Sequence, residues 1–141
     1  MANFSAFSAV DLARLIATKA VSPVEVTQAA LDHAEETQAT LNAFFHLMPQ
    51  EALNAAKRAE KAVLQDENLG LLHGVPFSAK DLIAVAGAPY ASGSKAMAQN
   101  RVSVDAPSVE RAKAAGAILI GKTTTSEFGC KPVGDLSLIH I

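Results

Sequence analysis

At 141 residues, half of them hydrophobic, the chain is long enough for one domain with a buried core. Twelve basic side chains against fourteen acidic ones give a formal net charge of −2 with no dense basic run, which argues against direct nucleic-acid binding. Cys130 is the single cysteine and excludes an intrachain disulfide, no Cys/His spacing suits zinc, and no apolar run approaches the roughly 20 residues of a membrane span. Residues 1–10 carry neither a charged start nor a long apolar stretch, so the expected compartment is the cytoplasm, without membrane contact.

Two helices are expected first, each announced by a capping box: Ser8 with Asp11, then Ser22 with Glu25 and Pro23 at the first helical position. Leu12, Leu15, Ile16 and Lys19 recur at helical spacing, and Ala29, Ala30, Leu31 and Ala34 give the second helix a small-residue face. Asn42 to Leu47 reads as a short mixed segment. Pro49 then starts a third helix, rich in Ala, Glu and Lys, running to about Gln65.

From Val75 the pattern changes: Val75, Phe77 and Ala79 alternate with Pro76, Ser78 and Lys80, which predicts a strand with Pro76 at its start or on an edge. A long stretch without periodicity follows from Asp81 to Val104, and such loops usually border a site. A helix begins near Asp105 with Pro107 in its first turn and stops at Gly116, and Ala117 to Ile120 makes a short apolar strand. Strand, helix and strand predict a right-handed βαβ crossover with parallel pairing, an α/β class. No repeat or linker suggests a second domain.

Gly116-Ala117-Ile118-Leu119-Ile120-Gly121-Lys122-Thr123 satisfies the letter of the phosphate-loop consensus. Its context is wrong, because a helix precedes the first glycine and the intervening residues are strand formers. Lys80 closes an alternating strand before the long loop, where open α/β sheets place functional side chains. On spacing alone it is more simply a strand-terminal lysine paired with an acid such as Asp81. The sharper alternative is a desolvated amine able to accept a proton and activate a serine. Cys130 lacks a marked histidine partner and reads as a structural thiol. His33, His46, His73 and His140 are scattered singly, which offers no metal site. Ser78, Ser92, Ser94 and Ser126 lie in no nucleophile elbow and are assigned no catalytic role.

Three ordered blocks, Gly70 to Asp81, Ala91 to Ser94 and Ala114 to Thr123, together closely resemble the amidase-signature family. Ser22 to Val26 and Leu41 to Phe44 also look like that family's N-terminal helical region. The resemblance implies N-terminal helices followed by a βαβ portion of an incomplete mixed sheet. It implies carboxamide C–N hydrolysis through a lysine, a bridging serine and a nucleophilic serine, with Lys80 at the lysine position and no cofactor. Cys130, after Glu127-Phe128-Gly129, resembles positions lining the substrate pocket in some members.

The partners implied are a small-molecule amide and, among macromolecules, amidotransferase subunits or further copies of the chain. The family's glycine-serine stretch and later nucleophile motif do not occur in this sequence. Residues 1–135 are therefore expected to be the N-terminal part of an amidase domain, inactive alone, and 136–141 a tail unlike the family, as from a truncated reading frame. The alternatives are the glutamine-hydrolysing subunit of a tRNA-dependent amidotransferase and a noncatalytic partner-binding piece.

Overall fold

The computed structural model describes residues 4–131. The expected boundary at residue 135, the tail 136–141 and His140 lie outside the described residues. Helix α1 spans Ala9–Ala17, with Ser8 at its N-cap accepting from the Asp11 amide at 3.1 Å. Helix α2 spans Pro23–Leu41 and its capping box is complete: the Ser22 hydroxyl accepts from the Val24 amide, and the Glu25 carboxylate accepts from the Ser22 amide at 3.1 Å. Helix α3 spans Pro49–Leu64 and buries Ala52, Ala56, Ala59 and Val63, a stripe of mostly small side chains that lets it lie close to α2 and the sheet.

The segment read as mixed is in fact a strand, β1, at Phe44–Leu47. Asn42 ends α2 in the left-handed conformation, and the Gln38 amide side chain then donates to the Phe44 carbonyl and accepts from the Phe44 amide. One side chain thus turns the chain out of the helix and satisfies the first residue of the strand.

Strand β2 spans Pro76–Lys80 and β3 spans Ile118–Thr123, with helix α4 at Pro107–Ala114 between them. The order is β1-β3-β2, antiparallel on one side of β3 and parallel on the other, a mixed three-stranded sheet with α4 in the crossover between its parallel pair. Ile118 and Ile120 face α2 and α3, whereas Leu119 packs with Ala79, Val85 and Val109 on the α4 side. Strand β3 runs beyond the expected Ile120 because Gly121, Lys122 and Thr123 keep pairing with both neighbours. At Gly121 a Cβ would lie 2.6 Å from the His46 carbonyl oxygen, so the close approach of β1 requires glycine.

Among the described residues, no helix is long and apolar enough to cross a membrane. Asp105 ties α4 to the long loop: it accepts from the Ala86 amide at 2.8 Å and from the Lys113 ammonium at 2.7 Å. Burial alone would raise its carboxyl, but these two hydrogen bonds and the Lys113 charge reverse that and hold it below the ordinary value of 3.8. A lowered folded value means that its stabilisation is complete above the unfolded value and is lost as pH falls through the folded one. Asp105→Asn should therefore cost about 1 kcal/mol at neutral pH, the half-exposed Lys113 limiting the effect, and should flatten the acid side of the stability profile. Urea midpoints measured from pH 7 to pH 2 check this; parallel profiles for both proteins would contradict it.

Candidate active site at the carboxyl end of the parallel strands

Lys80 is the last residue of β2, opposite Thr123 at the end of β3. Side chains alternate along the strand: Ser78 and Lys80 are exposed, whereas Ala79 and Asp81 are buried on the other face. The Asp81 amide continues the ladder to the Thr123 carbonyl at 3.0 Å, and the Lys80 carbonyl accepts from the Ile83 amide at 2.8 Å, so the backbone of Lys80 is held on both sides. Its ammonium has no hydrogen-bond or ion-pair partner among the described residues.

One expectation about Lys80 is thereby corrected. Lys80, exposed among the described residues, does not pair with Asp81, because a strand sends consecutive side chains to opposite faces. Asp81 instead binds Lys122, at 2.7 Å between Oδ1 and Nζ, with the two side chains 1% and 0% exposed.

Lys122 reaches this carboxylate through an irregularity in β3. Phe77 pairs with Leu119 and Ser78 with Gly121, leaving one extra residue on β3. A bulge of this kind exchanges the faces of the residues that follow it. Lys122 is consequently opposite Ala79, on the Asp81 face, rather than on the face of Ile118 and Ile120. Its ammonium also donates to the Pro89 carbonyl at 2.7 Å and lies 5.0 Å from the Tyr90 ring centroid.

Asp81 further accepts from the Ala91 amide at 3.3 Å and the Gly93 amide at 3.1 Å, drawing the Pro89 to Ser94 turn against the end of β2. Ser92 and Gly93 are both left-handed there, and the Ser92 carbonyl accepts from the Phe128 amide at 2.8 Å. The turn that ends at Cys130 packs on Leu82: a Cβ on Gly129 would stand 2.6 Å from the Leu82 Cδ1. The Cys130 thiol is free and exposed. The 89–94 and 126–130 turns thus join each other and the end of β2 on the Asp81 side, opposite the Lys80 side chain.

Of the four serines given no role, Ser92 and Ser94 are buried, Ser126 donates to the Lys131 carbonyl, and Ser78 is exposed beside Lys80 on β2. Asp81 and Lys122 are the residues that sequence spacing undervalues. The bulge that joins them has no local signature, and Lys122 falls within a chance motif.

That motif is no phosphate cradle: Gly116 follows α4, and Lys122 sits in a strand with its charge already engaged. Titration with MgATP should give no saturable signal. Saturable binding that disappears in Lys122→Ala would contradict this.

Residues 25–140 match the model of the Amidase family. The chain is 40% identical over 128 residues to a glutamyl-tRNA(Gln) amidotransferase subunit from Salinispora tropica, covering 91% of this chain and 26% of that protein. It is 40% identical over 129 residues to the indoleacetamide hydrolase of Bradyrhizobium diazoefficiens, covering 92% and 25% respectively. The structure of a bacterial aryl acylamidase of the amidase-signature family superposes with a TM-score of 0.85 at 28% identity, covering 92% of this chain and 27% of that one. The chain therefore spans about a quarter of the length of these relatives. Sequence blocks, backbone superposition and relatives agree, and the chain belongs to the amidase-signature family.

Proposed function

We propose that this chain supplies the lysine of a carboxamide hydrolase and that Lys80 is that lysine. The observation that carries the reading is the commitment of Asp81 to Lys122, which leaves Lys80 at a strand's carboxyl end, exposed and without an acidic partner among the described residues. Once the segment bearing the bridging serine lies over Lys80 and strips it of water, the neutral amine takes a proton from that serine, which takes one from the nucleophilic serine as its oxygen attacks the amide carbon. Backbone amides of a glycine-rich turn hold the oxyanion. The same proton returns to the leaving nitrogen as the C–N bond breaks, and water then cleaves the acyl-enzyme.

Both serines, in this proposal, belong to residues other than 1–141, which alone do not turn over substrate. The proposal also takes 1–135 as amidase domain and 136–141 as sequence foreign to it. Cys130 is proposed to border the acyl pocket, since it is exposed and its turn packs on Leu82, two residues after Lys80. Sequencing the transcript past Asp135 and assaying its full product on simple carboxamides tests the reading. A downstream glycine-serine block and amide turnover are expected; a genuine stop there, or a full product without turnover, would defeat it.

The similarity to amidotransferase subunits favours a second reading, in which the amide is that of glutamine and companion subunits receive the ammonia. Ammonia release that requires such subunits and charged tRNA would favour this second reading. Turnover of simple amides without them favours the free hydrolase.

A further inference from the structure

We propose that Asp81 and Lys122 act together as a positioning pair for the Lys80 amine, a role that rests on the catalytic reading of Lys80 above. Asp81 is adjacent to Lys80 and wholly buried, so whatever fixes its side chain inward fixes Lys80 outward on the opposite face. Three donors from two segments converge on that carboxylate: the Lys122 ammonium from β3 and the Ala91 and Gly93 amides from the long loop. Lys122 in turn holds the Pro89 carbonyl, so the same loop is gripped at both ends of the ion pair. Tyr90 closes the arrangement, with its ring facing the Lys122 ammonium and its hydroxyl 3.4 Å from the Leu82 carbonyl.

The bulge in β3 has a cost in ladder geometry, and its result is to carry a lysine onto the face where Asp81 lies. An apolar residue at 122 would fill that space without burying a charge, and a sheet needs no ion pair for cohesion. What the pair adds is a fixed link between the end of β2, where the Lys80 backbone stands, and the 89–94 turn on the opposite face. Neither residue touches substrate in this scheme; both act through the backbone that sets the direction of Lys80.

The test uses the full reading frame bearing Asp81→Asn, Lys122→Met, both together, and Lys80→Met, each assayed for melting temperature and for kcat and KM on a small carboxamide. Each single change at the pair should lower the melting temperature. The double variant should regain most of it, because no buried charge is left without a partner and Asn keeps an oxygen for the loop amides. Its kcat should nevertheless stay about 100-fold down at little-changed KM, the effect of a displaced catalytic group.

A double variant that recovers both stability and kcat would overturn the positioning role. Should that variant fail to fold, Lys122→Arg decides instead, since it keeps the charge while moving the cationic head. A kcat lowered more than about tenfold, with a melting temperature lowered less than in Lys122→Met, is then expected, and an unchanged kcat overturns the proposal. Full activity in Lys80→Met would instead remove the catalytic reading itself, whereas an inactive Lys80→Met beside a fully active double variant would remove only the positioning role.

Discussion

Lys80→Met in the full reading frame should lower kcat for carboxamide hydrolysis by about 1,000-fold, the scale of a lost general base, while leaving stability within about 0.5 kcal/mol. The two halves of this expectation have separate causes. The amine is exposed and has no partner among the described residues, so the fold gains little from it. Methionine nearly matches the length of the lysine stem but cannot accept a proton, so the relay from the nucleophilic serine loses its terminus. KM should change little, because the amine meets the bridging serine rather than the amide. Steady-state kinetics beside urea unfolding of both proteins would separate the effects; a large loss of stability would show that Lys80 serves the fold instead.

Lys122→Met alone should destabilise the protein by about 3–5 kcal/mol, because it leaves the Asp81 carboxylate buried without its cation. Against a usual domain stability of about 5–15 kcal/mol, this change brings the fold near its threshold. Asp81→Asn should cost less than Lys122→Met, since the amide oxygen still accepts from the Ala91 or Gly93 amide and the Lys122 ammonium keeps the Pro89 carbonyl and the Tyr90 ring. Urea midpoints order the three proteins. Equal stability for wild type and Lys122→Met would mean that the ion pair contributes nothing net.

What could be read from sequence was what is decided locally. The caps of α1 and α2 lie within three residues of the groups they satisfy, and the Pro49 and Pro107 helix starts and the Gly116 stop are equally local. The alternation of Phe77 and Ala79 with Ser78 and Lys80 depends on one strand facing one core. Strand β1 was not legible, because Phe44-Phe45-His46-Leu47 does not alternate and its pairing is decided by β3, far along the chain. The end of β3 is hidden for a related reason: Gly121 and Lys122 look like strand breakers until β1 is seen to pack against the bare glycine and Asp81 to neutralise the lysine.

Within the site, Lys80 is legible through ordered motif blocks, since its spacing alone suits a pair with Asp81 equally well. The partner exchange that frees it depends on a one-residue bulge between Leu119 and Gly121, and a bulge is fixed by long-range register rather than by composition. Its exposure is likewise invisible in the sequence, because burial of a strand end depends on which other segments lie over it.

The most direct measurement is the rate at which the full reading frame forms a covalent acyl adduct with a carboxamide, followed by intact-protein mass during the first turnover. A rapid rise of adduct in the wild-type protein, slowed about 1,000-fold when Lys80 is methionine, is the expected result. Adduct forming equally fast in both would contradict a catalytic role for the Lys80 amine.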